Sequence, residues 1–303
     1  MSTIAHWLSG LAPGEVRLNE PLAPWCSIRA GGSADALVRP QSVETLLAAL
    51  KLAKDTGTPL SILGLGANTI VGDLGVRGLT LKLPNSTFKE DVTLDDEGGV
   101  LVLSAGASIA RLVTLMKQHG LVGAEFLAGV PGTIGGAVTM NAGTKNGECM
   151  SRVVSLELAT ADGLGWVAPP QYRYRHTELP AGVVVTRAKF RLPRGDVAAS
   201  QAAMDADLGY RKRTQPLSQP SFGSVFTNPP GHHAGALLEK VELKGHTIGG
   251  AQISTLHANW IVNLGGASVR DVTQLMVLAQ QRVREATGVE LVPEVKRLGE
   301  FAL

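Results

Sequence analysis

Apolar and polar positions along the chain fall into short strand-like runs separated by a few helical stripes. Ala36-Leu37-Val38-Arg39 reads as a strand. Ser42 then offers an N-cap oxygen to a helix that carries Leu46, Leu47 and Leu50 and stops near Gly57. Residues 60–63 resume as a strand, so the first unit is a small β-α-β. Residues 79–83 and 100–104 follow as short strands. A second helix runs from Ser108 through Ile109, Leu112, Val113 and Met116 to Gly120. Residues 153–158 and 183–192 alternate as half-buried strands do. Pro193-Arg194-Gly195-Asp196 then breaks the pattern and marks the main domain boundary. Beyond it a polar helix leads into Tyr210-Arg211-Lys212-Arg213, followed by Pro- and Ser-rich loops and a short helix over 234–241. The best-defined helix spans 268–287. Ser268 with Asp271 forms a capping-box pattern, and Val269, Val272, Leu275, Met276, Ala279 and Val283 make one apolar stripe, which reads as ordinary core. The class is α/β or α+β with mixed strands.

Composition narrows what such a chain can do. Hydrophobic residues make up 44% and the net charge is only +2, which excludes a disordered chain and a dedicated nucleic-acid surface. No apolar run is long enough to cross a membrane as a helix. The N-terminus has neither a basic segment nor a continuous apolar one, so a cytoplasmic location is expected. Cys26 and Cys149 are isolated and read as free thiols in a reducing compartment, and the seven His lack metal-ligand spacing, so no metal is expected. Glycine is the outlier, at 36 of 303 residues, so tight turns or close backbone approaches must be numerous.

Two glycine-bearing segments point to a ligand. Leu63-Gly64-Leu65-Gly66-Ala67-Asn68-Thr69 leaves a strand without the third glycine of a Rossmann fingerprint. Its bare Gly64 and Gly66 backbone would still let N–H groups approach a phosphate, with Asn68 and Thr69 as added donors. The second segment runs from Gly129 to Gly143 and includes Pro131, Gly132, Thr133, Gly136 and Asn141. It reads either as a tightly packed helix whose glycines permit close contact or as a backbone wall against an extended cofactor. Two phosphate-compatible loops in one half of a chain favour a dinucleotide between them.

Several segments, in order, resemble the UDP-N-acetylenolpyruvoylglucosamine reductase (MurB) family over roughly residues 19–299. They are Ser27-Ile28-Arg29-Ala30-Gly31-Gly32, the Gly64 loop, Glu125 through Gly143, and Tyr174-Arg175-His176-Thr177. Phe222-Gly223-Ser224-Val225-Phe226-Thr227-Asn228-Pro229, His257-Ala258-Asn259-Trp260-Ile261-Val262-Asn263 and Val292-Pro293-Glu294-Val295 complete the set. The resemblance implies an α+β protein with a vanillyl-alcohol-oxidase-type FAD-binding domain of two α+β subdomains, residues 1–82 and 83–195. A C-terminal α+β substrate-binding domain, residues 196–303, would follow. Arg175 is followed directly by strand-like residues, as in the shorter class that lacks a tyrosine-bearing insertion.

The same resemblance implies FAD as cofactor and NADPH as reductant, with reduced flavin passing hydride to an enolpyruvyl ether to give UDP-N-acetylmuramate for peptidoglycan. It places Arg29, Gly64, Gly66, Ala67, Asn68, Thr69 and Gly106 at the cofactor. Pro131, Gly132, Thr133, Gly136, Asn141 and Gly143 join them. Arg175, Ser224 and Glu294 match the family's catalytic positions: Arg175 and Glu294 at the substrate carboxylate, Ser224 as proton donor to carbon. Tyr174, Arg213, Gln215, Asn228 and His257 would meet the UDP-sugar, although the run Arg211-Lys212-Arg213 also reads as a solvated face. The partner is thus a small molecule, not nucleic acid or membrane, and a monomer is favoured. Departures from the family pattern are Cys26 for Thr, Ala67 and Thr177 for Ser, and Thr227 and Leu256 for Lys; they touch binding contacts and leave the three catalytic positions intact. Two other readings compete: a flavin oxidoreductase acting on an alcohol or sugar lactone, and a nucleotide-binding regulator without turnover.

Overall fold

The computed structural model describes residues 15–302, which form two compact units. The first comprises residues 15–18, Ala36–Leu65 and Gly78–Gly209; the second comprises Asn19–Asp35, Gly66–Arg77 and residues 210–302. Among the described residues no helix is long and apolar enough to cross a membrane.

Two sheets with helices packed on them draw most of their residues from the first unit. One sheet runs in the order Val16–Pro21, Ser33–Val38, Val76–Leu81, Leu60–Ile62, and its last two strands pair in parallel. The helix Val43–Thr56 connects strand to strand as the hydrophobic spacing predicts. Ser42 caps it by accepting a hydrogen bond from the Thr45 N–H, and Gly57 closes it at φ +67°. Leu46, Ala49 and Leu50 bury against Val38, Leu79, Leu81 and Phe88. The second sheet is antiparallel, in the order Gly163–Val167, Val153–Thr160, Val184–Pro193, Gly98–Ser104, Asp91–Leu94. Against it pack the helix Ile109–Gln118, capped by Ser108, and a core that includes Leu101, Leu103, Leu112, Met116 and Phe190.

The second unit is built on an antiparallel sheet in the order Ser221–Ser224, Trp260–Asn263, Ala251–Ile253, Thr247–Ile248. The helix Val269–Thr287 carries the full capping box and buries all six residues of its apolar stripe, while Val277 on another side stays exposed. Thr69–Val71 leaves the first glycine loop and pairs in parallel with Lys296–Leu298.

Two local expectations change. Tyr210, Arg211, Lys212 and Arg213 do not follow the polar helix but form its last turn, because Val197–Thr214 is one continuous helix. Cations there complement the helix dipole. The segment from Gly129 to Gly143 holds a packed six-residue helix, Ile134–Thr139, with Ile134, Ala137 and Val138 buried. A β-carbon on Gly135 would lie 3.0 Å from Ala105 Cβ, so close helix-to-strand approach is one reason for glycine there.

Candidate active site

The first glycine loop is shaped by its own protein neighbours. A β-carbon at Gly66 would lie 2.5 Å from the Trp25 carbonyl oxygen and 2.7 Å from Cys26 Cα, and Gly66 sits at φ +68°. The Ser27 N–H donates to the Gly66 carbonyl at 3.0 Å, fixing the loop to the segment that carries Arg29. Arg29 itself has φ +59°, and its guanidinium donates to the Pro24 carbonyl. Within the first unit, a β-carbon at Gly64 would sit 2.9 Å from the Thr133 hydroxyl, so the two glycine segments adjoin there. The Lys82 ammonium donates to the Gly64 carbonyl.

Donor inventory tests whether this loop suits a dinucleotide. The backbone N–H groups of Gly64, Leu65, Gly66, Ala67 and Asn68 meet no acceptor among the described residues. Consecutive unused backbone donors at a turn that contains Gly66 at φ +68° have the chemistry that suits phosphate oxygens. Ala67 removes a hydroxyl but keeps its N–H, so the substitution leaves the backbone cradle in place. The Asn68 side chain turns elsewhere and donates to the Glu294 carbonyl at 3.2 Å.

The second segment offers fewer donors than its sequence implies. The Ile134 N–H donates to Ala107 O, Gly135 to Ala105 O, and Gly136 to the Thr133 hydroxyl. The start of this helix is therefore satisfied by protein, and ahead of it the N–H groups of Gly129, Gly132 and Thr133 meet no acceptor among the described residues. Gly106 and Gly143 serve close backbone contacts: a β-carbon would fall 2.5 Å from Leu83 O and 2.1 Å from Gly147 O, respectively. Asn141, fully buried at φ +44°, spends its side chain on Glu148, Arg173 O and the Met150 N–H.

Arg175 sits in a minimal hairpin. Tyr172 pairs with Thr177 and Arg173 with His176, leaving Tyr174 and Arg175 as the two-residue loop. Arg175 has φ +58° and its guanidinium lies 5.0 Å from the Tyr174 ring centroid. Thr177 is buried and its hydroxyl donates to the Val138 carbonyl at 2.5 Å, so Thr at this position anchors the hairpin to the glycine-bearing helix.

Ser224 and Glu294 come together within the second unit. Ser224 ends its strand opposite Trp260, after a register shift that includes Gly223 at φ +78°. Such a bulge re-aims the next side chain. The Glu294 N–H donates to Val225 O at 2.7 Å, and the Thr227 N–H donates to Val292 O at 2.9 Å. The two loops are thus bridged at Phe226 and Pro293, and Ser224 and Glu294 flank one bridged step. Both residues are half-buried.

Other candidates divide by role. Asn228 Oδ1 accepts from the Ala234 N–H, ordering the start of the helix Ala234–Lys240. Gln215 Oε1 accepts from Arg211 Nε, while Arg213 and Tyr174 are exposed. Thr227 donates to Val292 O, and Leu256, standing where the family pattern has Lys, is exposed. His257 Nδ1 accepts from the Asn259 N–H at 3.2 Å, so the proton sits on Nε2 and that nitrogen can donate. Burial pushes its imidazole below the usual value, favouring the neutral ring.

Asn259, Asn263 and Lys82 have roles that sequence reasoning did not assign. Asn259 clamps Phe226 on both sides, accepting from its N–H and donating to its carbonyl at 2.8 Å, and so holds the strand that follows Ser224. Asn263 donates to Ile28 O at 2.9 Å and accepts from Gly265 and Ala267, fixing the Arg29 segment. The repeated Asn at 259 and 263 inside an apolar run was the available signal, since buried amides need partners. Lys82 gave no local signal.

Comparison with known proteins covers both units. A family model described as an FAD binding domain matches residues 34–166, and one described as the UDP-N-acetylenolpyruvoylglucosamine reductase C-terminal domain matches residues 215–298. UDP-N-acetylenolpyruvoylglucosamine reductase of Myxococcus xanthus (strain DK1622) is 63% identical over 302 residues, covering 99% of this chain and 97% of that protein. The enzyme of Bacillus pumilus (strain SAFR-032) is 38% identical over 305 residues, covering 99% of each. The crystal structure of the reductase from Thermus caldophilus superposes with a TM-score of 0.78 at 33% identity, covering 94% of this chain and 98% of that one.

Proposed function

The chain belongs to the UDP-N-acetylenolpyruvoylglucosamine reductase family, and from that premise we propose that it reduces UDP-N-acetylglucosamine enolpyruvyl ether to UDP-N-acetylmuramate with NADPH as the electron source. It is an FAD-binding oxidoreductase. The free backbone N–H groups of the Gly64 loop are assigned to the cofactor's phosphates, and those of Gly132 and Thr133 are assigned to the cofactor independently. The chemistry FAD supplies when bound is two-electron hydride exchange, from NADPH and on to the substrate methylene. The remaining work falls to this chain's side chains.

Hydride addition to the methylene carbon leaves an electron pair delocalised from the neighbouring carbon into the substrate carboxylate. Arg175 opposes that developing charge with a planar fork of donors. Glu294 assists only while it carries a proton, because a second anion beside the enolate would oppose the reaction; protonated, its O–H donates to a carboxylate oxygen. Ser224 then gives its hydroxyl proton to the carbon, completing the saturated ether. A serine is a weak acid, yet an enolate carbon is basic enough to take the proton when the two are in reach. His257, through Nε2–H, and Asn228 are assigned to neutral contacts with the UDP-sugar, and Arg213 to its diphosphate.

The observation that supports this reading is the Ser224–Glu294 arrangement: Ser224 follows a glycine bulge, and the Glu294 N–H donates to the carbonyl of the next residue, Val225. An enzyme acting on an alcohol or sugar lactone would need Glu294 as an ionised base that removes a proton, the opposite of the role assigned to it here. The test is NADPH oxidation with and without the enolpyruvyl ether, with the product identified by mass. One UDP-N-acetylmuramate per NADPH is expected. Substrate-independent oxidation with no muramate would overturn the proposal.

A further inference from the structure

We propose that Asn141 and Thr177 are positioning residues for Arg175, so that the glycine-bearing helix Ile134–Thr139 sets the arginine's place. The inference rests on the reading that Arg175 stabilises charge on the substrate. The hairpin that carries Arg175 is short: Tyr172 pairs with Thr177 and Arg173 with His176, with one further bond from the Glu178 N–H to Gln171 O and an exposed Arg173–Glu178 ion pair. An isolated ladder of that size does not hold itself in water. Its loop is also strained, because Arg175 at φ +58° occupies a turn position that ordinarily takes Gly or Asn. Something outside the hairpin must therefore hold it.

Two buried side chains do so: Thr177 from within the second strand, and Asn141 from outside against the first. The Thr177 hydroxyl, on a residue only 3% exposed, donates to Val138 O at 2.5 Å. Against the first strand, Asn141 Nδ2 donates to Arg173 O at 3.0 Å. The orientation of the Asn141 amide is itself forced. Its Nδ2 also donates to the Glu148 carboxylate at 2.9 Å, while its Oδ1 accepts from the Met150 N–H at 3.0 Å. Turning the amide over would set donor against donor and acceptor against acceptor. The backbone of Asn141, at φ +44°, follows directly on the end of the glycine-bearing helix. The helix, through the Val138 carbonyl, and Asn141, two residues past its last turn, thus bond one strand of the hairpin each.

The test separates the two half-reactions of the FAD-loaded enzyme by anaerobic stopped flow in Thr177→Val, Thr177→Ser, Asn141→Asp, Arg175→Ala and the double variant Arg175→Ala/Thr177→Val. Thr177→Val and Asn141→Asp are expected to slow flavin reoxidation by the enolpyruvyl ether by ~10–100-fold, the scale of a small misplacement of a reacting group. Flavin reduction by NADPH should stay within about twofold in Thr177→Val, and Thr177→Ser, which keeps the hydroxyl, should restore most of the reoxidation rate. In the Arg175→Ala background, Thr177→Val should add almost nothing. The proposal is overturned if Thr177→Val slows both half-reactions alike, or costs as much without Arg175 as with it, or leaves reoxidation untouched while Arg175→Ala slows it. Wild-type reoxidation in Arg175→Ala would instead overturn the role of Arg175 itself. Should Asn141→Asp fail to fold, the Thr177 pair decides alone.

Discussion

Gly66→Ala tests whether protein packing, as well as a ligand, demands glycine in the first loop. The added methyl would stand 2.5 Å from Trp25 O and 2.7 Å from Cys26 Cα, where ordinary contact begins at 3.4 Å. Both are backbone atoms, so relief requires the Trp25–Cys26 segment to retreat by nearly an ångström. Overpacking of this kind costs about 1–3 kcal/mol. The left-handed φ of +68° adds about 1–2 kcal/mol for a residue with a β-carbon. Together these give a loss of about 2–5 kcal/mol, large against a typical stability of about 5–15 kcal/mol. Gly288→Ala is the matched control. It lies in the same unit at φ +72°, and its β-carbon would meet nothing within 4 Å, so only the backbone cost applies. Urea unfolding of both variants without FAD should show Gly66→Ala losing more than Gly288→Ala by roughly the overpacking cost. Equal losses would refute the argument that Trp25 and Cys26 dictate this glycine.

Two further variants probe charge. Glu294→Gln should retain more activity than Glu294→Ala in steady-state turnover, because an amide still donates a hydrogen bond; the reverse order would argue against a protonated Glu294. Loss of such a donor altogether should cost ~10²–10³ in rate. At Glu157, burial raises the carboxyl, but the Arg187 fork and the Thr186 hydroxyl outweigh it and hold the group below the usual carboxylate value of 4.5. A depressed folded-state value means stability that is present above the unfolded pKa and lost as pH falls through the folded one. Glu157→Gln should therefore flatten the acid side of the stability curve below about pH 4.5, read by thermal melts across pH, whereas an unchanged acid limb would contradict the linkage.

What the chain discloses in its sequence depends on how local the cause is. Ser42, Ser108 and Ser268 cap their helices, and the stripe from Val269 to Val283 is buried in full, because capping and amphipathicity act within a few residues. Strands were legible where apolar runs are long, as at Val153–Thr160 and Val184–Pro193, but short strands such as Asp91–Leu94, Gly163–Val167, Ser221–Ser224 and Trp260–Asn263 gave no such signal. The glycines were not, since what each excludes lies far along the chain: Trp25 and Cys26 for Gly66, Thr133 for Gly64, Leu83 and Pro84 for Gly106. Composition showed a surplus of glycine but could not separate donor-exposing turns from close backbone packing. Asn141 illustrates the same limit, because its partners Glu148, Met150 and Arg173 lie 7 to 32 residues away. Pairing of Ser224 with Glu294 depends on a bridge between residues about seventy positions apart, visible in the sequence only through the family resemblance.

Protonation by Ser224 is the central chemical claim, and separate timing of the half-reactions in Ser224→Ala measures it most directly. Anaerobic mixing with NADPH should bleach the flavin at close to the wild-type rate, since the hydroxyl takes no part in that step. Subsequent mixing with the enolpyruvyl ether should restore flavin absorbance far more slowly than in the wild type, with little muramate formed. Reoxidation and muramate formation at the wild-type rate, or an equal loss in both half-reactions, would contradict the role assigned to Ser224.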